Sequence, residues 1–158
     1  MNKTIKKAAV AMSGGVDSSV AAALMLEKGY EVIGLTIKTW EYENTAENET
    51  GCCSLDSIYR AKNVAHQLGI PHYTFDMTKE FNDSVINNFV SEYMKGRTPN
   101  PCVLCNKKIK WGTLLEKAEG LGADVLVTGH YAKLSFDEFT KRYFISVPQD
   151  KHKDQSYF

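Results

Sequence analysis

Three observations predict an α/β fold built on a doubly wound, mostly parallel sheet with helices on both faces. Short apolar runs alternate with helical patterns along the chain, the order from which parallel sheets are wound. One of those runs, Glu31-Val32-Ile33-Gly34-Leu35-Thr36-Ile37-Lys38, is almost continuously apolar, as a strand covered on both faces is. The loop Ser13-Gly14-Gly15-Val16-Asp17-Ser18-Ser19 joins an apolar run to a helical pattern without a spacer. Folds of this kind bind ligands at the carboxyl ends of their strands.

Each element follows from local chemistry. Ala8 to Met12 is the first strand. A first helix runs from about Ser18 to Lys28, and Gly29 stops it. After the second strand, Thr39 to Gly51 is polar, acidic and aperiodic, a loop composition. Ser54 opens a second helix whose face is marked by Leu55, Ile58, Ala61, Ala65 and Leu68, and Gly69 and Pro71 end it. His72 to Asp76 is a third strand. Phe81, Val85, Phe89 and Tyr93 mark a third helix over about Lys79 to Lys95. Gly96 to Pro101 is excluded from helix by two prolines, and a fourth helix follows from about Asn106 to Leu121. Ala123 to Thr128 is a fourth strand, and Tyr131 to Leu134 with Tyr143 to Val147 reads as a β-hairpin.

The 158 residues suffice for one α/β domain, and 43% hydrophobic with 24% charged content is that of a globular protein. No apolar stretch reaches the ~20 residues that span a bilayer, and the basic N-terminus lacks a signal-peptide core. The cytoplasm is the expected compartment, with no membrane partner. Net charge is zero, so contact with nucleic acid must come from local patches.

Two groups of residues carry chemistry. In the glycine loop, backbone can approach a ligand closely, and the helix start presents N–H groups suited to phosphate. Ser13, Ser18 and Ser19 add hydroxyl donors, and Asp17 can hold Mg²⁺ or cap the helix. The second group is Asn100-Pro101-Cys102-Val103-Leu104-Cys105-Asn106. Its cysteines stand three apart at a helix start and face the same way. Lys107, Lys108 and Lys110 nearby favour thiolate. No second Cys-x-x-Cys or paired histidine completes a zinc site, and His66, His72, His130 and His152 are scattered. A cytosolic disulfide is disfavoured. A reactive or a cluster-binding pair remains. The adjacent Cys52 and Cys53 read as non-catalytic.

Ser-Gly-Gly-x-Asp-Ser resembles the signature of the PP-loop ATP pyrophosphatases, in which the loop holds the pyrophosphate of ATP while a substrate is adenylated. The chain as a whole resembles the N-terminal domain of the tRNA-specific 2-thiouridylase family. The matching runs are Met12 to Ser19, Gly34 to Trp40, Gly96 to Asn106, Thr128 to Tyr131, and Lys153 to Phe158, in family order. The resemblance implies that Ala11, Met12, Ser13, Gly14, Gly15, Val16, Asp17, Ser18, Ile37 and Gly129 contact ATP. It puts Asn100, Pro101 and Cys102 against the target uracil, and Lys153, Asp154 and Gln155 against tRNA. Cys105 falls where the family has its first catalytic cysteine.

The implied reaction adenylates O2 of the wobble uridine and displaces AMP with sulfur from a cysteine desulfurase or relay protein, using ATP and Mg²⁺. Many family members have Asp where this chain has Cys102. The Cys102–Cys105 pair therefore resembles the branch that holds a [4Fe-4S] cluster with three cysteines. The resemblance also implies an ATP-binding catalytic domain over 1–150 and a connection over 151–158 to tRNA-binding domains and a third cysteine downstream. The expectation for residues 1–158 alone is ATP binding without thiolation. Two rival functions stay open, an amidating synthetase of the same superfamily and a nucleotide sensor without turnover.

Overall fold

The computed structural model describes residues 6–40 and 54–157. Strands β1 (Lys7–Ala11), β2 (Glu31–Lys38), β3 (His72–Asp76) and β4 (Val125–Thr128) form a four-stranded parallel sheet in the order β3-β2-β1-β4. The winding reverses between β1 and β4, which makes that junction the switch point where such sheets open a crevice. Register sets Ala11 opposite both Leu35 and Thr128, so β1 and β4 finish level while β2 runs on to Lys38.

Alternation along the strands divides the core into two. Val10, Met12 and Val32 pack with Ala22, Ala61 and Ala65 of the first two helices. Ala9, Ile33, Leu35 and Ile37 pack on the other face with Val85, Ile109, Leu114 and Ala118. This is the doubly wound arrangement, since successive strand residues point to opposite faces.

Helix α1 (Val16–Glu27) starts two residues before Ser18, with Gly15 at the N-cap and no side-chain cap, so Asp17 lies in the first turn and caps nothing. Helix α2 (Leu55–Gln67) is capped by the Ser54 side chain, which accepts from the Ser57 N–H. Its buried stripe is Ser57, Ala61 and Ala65, whereas Leu55 is exposed. Ala61 and Ala65 pack against Val10, Met12 and Val32 of the sheet, and the glycine loop packs on the helix at Ser57. A Cβ on Gly14 would stand 2.3 Å from the Ser57 carbonyl oxygen, and Gly14 also has φ +72°.

Helix α3 covers residues 78–94 and opens where Asp76 accepts the Thr78 N–H at 3.0 Å. The Lys38 ammonium and that N–H hold the Asp76 carboxyl down to about 2. Helix α4 covers residues 101–120 and starts at Pro101, five residues earlier than the sequence suggests. Pro101 is the first helical residue, where no N–H is needed. The Asn100 side chain caps it by accepting from the N–H groups of Cys102 and Val103 at 3.1 and 3.3 Å. The proline that ruled out a helix instead begins one.

Both helices contain a π segment, Asn82–Ile86 in α3 and Asn106–Leu114 in α4. In an α-helix, residues four apart drift about 40° round the axis at each step. The wider i→i+5 turn offsets that drift. Cys102, Asn106, Lys110 and Leu114, spaced by four, thereby stay on one side of α4. The same holds for the four-spaced Phe81, Val85 and Phe89 of α3. Beyond β4, β5 (Lys133–Asp137) and β6 (Arg142–Ser146) form the expected antiparallel hairpin, followed by a 3-10 turn at Lys151–Lys153.

Candidate functional site

The glycine loop is held by its own serines. The Ser18 hydroxyl donates to the Gly15 carbonyl at 3.1 Å and accepts from the Ser13 N–H at 3.2 Å. The Ser19 hydroxyl donates to the same carbonyl at 2.8 Å. These two hydroxyl protons serve the loop, not a ligand, which corrects the expectation that Ser18 and Ser19 supply donors to phosphate. What the loop offers is backbone: α1 has no side-chain cap, so its first-turn N–H groups and dipole are left for an anion. Gly129, just after β4, closes against that turn. A Cβ there would stand 2.4 Å from the Ser18 nitrogen and 2.7 Å from the Asp17 carbonyl carbon. Only glycine permits the approach.

Behind the loop, Thr36 fixes the end of β1. Its hydroxyl donates to the Met12 carbonyl at 2.8 Å and lies 2.8 Å from His72 Nε2. With the one hydroxyl proton directed to Met12, the imidazole must donate from Nε2. Burial, helped by Lys62, lowers the His72 pKa from its ordinary 6.5 and keeps the ring neutral.

A cleft of about 780 Å³ opens at the carboxyl ends of the strands. One wall is Ala11, Met12, Ser13 and Ser18, and the opposite wall is Pro101, Cys102, Cys105, Asn106 and Lys110 of α4. Thr128, Gly129 and His130 form the floor side, and Gln155 reaches in from the last turn. Cys102 is exposed and Cys105 half-buried, Cys105 packing on the core beside Leu104. His130 Nδ1 lies 2.8 Å from Thr128 Oγ1. Burial, then Lys110, lowers its pKa from 6.5, so a neutral imidazole faces the thiol wall. Gln155 is tied to Tyr131 twice, its N–H donating to the Tyr131 carbonyl at 3.0 Å and its Oε1 accepting the Tyr131 N–H at 2.9 Å.

Among the described residues, two buried oxygens of the cleft lining lack partners. Thr39 Oγ1 and Asn106 Oδ1 make no hydrogen bond, although their residues are 0% and 4% exposed. An unsatisfied buried acceptor costs about 1–3 kcal/mol.

Of the residues expected at ATP, Ala11, Met12, Ser13, Ser18, Ile37 and Gly129 line the cleft. Gly14, Gly15 and Val16 instead border a second, shallower groove with Arg60 and Asn63 of α2, and Asp17 borders neither. Pro101, Cys102, Cys105 and Gln155 line the cleft, whereas Asn100, Lys153 and Asp154 stand outside it. The Asn100 oxygen is committed to capping α4. Thr36, Thr39, Trp40, Phe81, Ile86, Phe89, Asn106 and Thr128 are cleft residues to which the sequence reading assigned no ligand role of their own. For Asn106, the four-residue spacing from Cys102 to Lys110 was the available signal. Cys52 and Cys53 and most of the 39–51 loop lie outside the described residues.

The donor set suits a nucleotide: backbone N–H groups for phosphate at one end and apolar Ile37, Trp40 and Phe81 for a base nearby. Asp17 is the loop's one carboxylate, in the first turn of α1, a residue type that suits Mg²⁺. A four-iron cluster asks for four ligands, and α4 supplies two thiols. Among the described residues no group of three His, Cys, Asp or Glu stands together, so they do not complete a cluster. No described helix is long and apolar enough to cross a membrane.

Comparison with known proteins fits this geometry. A structure from Methanocaldococcus jannaschii, described as a predicted subunit of tRNA methyltransferase, superposes with a TM-score of 0.52 over 78% of this chain and 53% of its own, at 18% identity. At that identity the likeness concerns the fold. A protein of Cytophaga hutchinsonii named tRNA-specific 2-thiouridylase MnmA is 57% identical over 94% of this chain and 40% of its own length. The protein of that name from Amoebophilus asiaticus is 55% identical, over 94% and 39%. The chain thus spans about two fifths of the length of these curated relatives. Residues 6–158 match the tRNA methyl transferase HUP domain, and the chain belongs to that family.

Proposed function

We propose that this chain is the ATP-binding catalytic part of a tRNA-uridine 2-sulfurtransferase acting on the wobble uridine in the cytoplasm. The observation that carries the reading is one cleft lined on one side by Ser13 and Ser18, the two ends of a phosphate-type glycine loop, and on the other by a helix bearing two thiols. An activating nucleotide and a sulfur-handling group can meet there. That combination suits neither a sensor nor an amidating synthetase, which have no use for the thiols.

In this reading the loop and the α1 N-terminus hold the pyrophosphate of ATP, with Mg²⁺ beside Asp17. Uridine O2 attacks the α-phosphorus, the bond to the bridging oxygen breaks, and pyrophosphate leaves. The terminal sulfur of a persulfide, charged by a desulfurase or relay protein, then attacks C2, and AMP departs with the O2 oxygen. A second thiol splits the S–S bond, closing a disulfide and leaving the thiocarbonyl. Cys105 takes a thiol role, with Cys102 beside it on α4, and N–H groups at helix starts stabilise the developing phosphate charge. Pro101 borders the target base from the cleft wall and Asn100 from just outside it, while Lys153 and Asp154 meet the tRNA and Gln155 braces the cleft mouth.

The test supplies tRNA, ATP, Mg²⁺ and a sulfur donor to the full-length protein and measures 2-thiouridine, AMP and pyrophosphate. All three are expected; in Cys105→Ala 2-thiouridine is lost, while pyrophosphate from the preceding adenylation is still released for about one turnover. A product methylated from a methyl donor without ATP consumption would overturn the reading. Iron and acid-labile sulfide in anaerobically purified protein, lost in Cys102→Ala and Cys105→Ala, would replace the thiol route with a cluster.

A further inference from the structure

We propose that Asn106 is a specificity-determining residue that reads the imide N3–H of the target uracil; this rests on the proposed 2-thiolation. Asn106 follows Cys105 on α4 and lines the cleft, yet it is almost fully buried and its carbonyl oxygen has no partner. A position that only fills space would favour leucine, which leaves no orphaned acceptor there. The carboxamide is kept on the cleft side by the π segment that begins at this residue, a feature common at functional sites.

The missing partner must donate a hydrogen bond, and the cleft that Asn106 lines is the side from which a ligand can bring one. Uracil presents N3–H on its Watson–Crick edge, whereas cytosine presents a bare acceptor at that atom. Single-stranded bases are read on this edge. The adenine amine of ATP is the other N–H that the cleft could receive. The uracil is favoured because Asn106 shares its wall with Cys102 and Cys105, opposite the glycine loop.

The experiment measures binding, because a 3-methylated uracil cannot lose its N3 proton and would fail in turnover for chemical reasons. Anticodon stem-loop RNAs carrying uridine or 3-methyluridine at the target position are titrated into full-length wild-type protein, Asn106→Ala and Asn106→Leu. Wild type is expected to favour uridine by roughly 5- to 100-fold, the range for one buried hydrogen bond to a base. Both variants are expected to lose that preference, with Asn106→Ala also gaining affinity for the methylated base through the space it opens.

Equal binding of the two RNAs by wild type would overturn the proposal without needing any variant. So would an unchanged preference in folded Asn106→Leu, or a loss confined to ATP affinity, which would make adenine the base served. Absence of 2-thiouridine formation by wild type, by contrast, would strike the proposed function itself.

Discussion

Gly129→Ala tests whether the junction between β4 and α1 builds the phosphate site. The added Cβ would lie 2.4 Å from the Ser18 nitrogen, 2.7 Å from the Asp17 carbonyl carbon and 2.7 Å from the Ser18 Cα. All three are backbone atoms, so no side-chain rotation relieves the contact. Either the α1 N-terminus or the end of β4 must move away. Overpacking costs about 1–3 kcal/mol, and the rigidity of these neighbours points to about 3. For a domain of this size that corresponds to a fall in Tm of roughly 6–12 °C. Moving the first turn of α1 also misplaces its N–H groups, and loss of one charge-assisted hydrogen bond weakens ATP binding by about tenfold or more. Thermal unfolding and ATP titration of the variant read both effects. Gly120→Ala is the control. Nothing lies within 4 Å of a Cβ there, and alanine in that last helical turn should raise stability by about 0.5 kcal/mol. Wild-type Tm and ATP affinity in Gly129→Ala would refute the claim that this junction shapes the site.

Other consequences follow from the same geometry. Ser18→Ala removes the bonds to Gly15 and Ser13, so ATP affinity should fall with a stability loss of about 1–2 kcal/mol, read by the same two assays. Asn100→Ala uncaps α4 and should cost about 0.5–2 kcal/mol, with faster hydrogen exchange at the Cys102 and Val103 amides. Folding holds the pKa values of His72 and His130 below 6.5, so below that pH the unfolded chain binds more protons than the folded one. Stability should therefore be level above about pH 6.5 and decline as pH falls toward the lowered values. Urea unfolding at pH 7.5 and 5.5 should show this, and His72→Gln with His130→Gln should flatten it.

Much of the fold was legible because strand residues buried on both faces leave near-continuous apolar runs, and a glycine loop between strand and helix marks the switch point. The helix boundaries were less so. Two prolines around Asn100 read as a breaker, yet one of them sits at the first helical position under an asparagine cap. The four-residue spacings Phe81-Val85-Phe89 and Cys102-Asn106-Lys110 were visible, but only the π segments explain why such residues stay in line. Of the face expected for α2, Ala61 and Ala65 are buried, whereas Leu55 is exposed and Ser57, against which Gly14 packs, is buried in its place.

By itself the sequence determined the element order, the phosphate-type loop and the thiol pair, because backbone freedom, periodicity and residue chemistry are local properties. It also carried the resemblance that named the family. Only the tertiary structure decided that the loop offers N–H groups while its serines hold it together, that Gly14 and Gly129 are demanded by neighbouring backbone, and that Asn106 is left unsatisfied beside the thiols. Those outcomes depend on atoms from β4, α2 and α4 that lie far apart in sequence and meet only when the sheet is wound, so no local pattern encodes them.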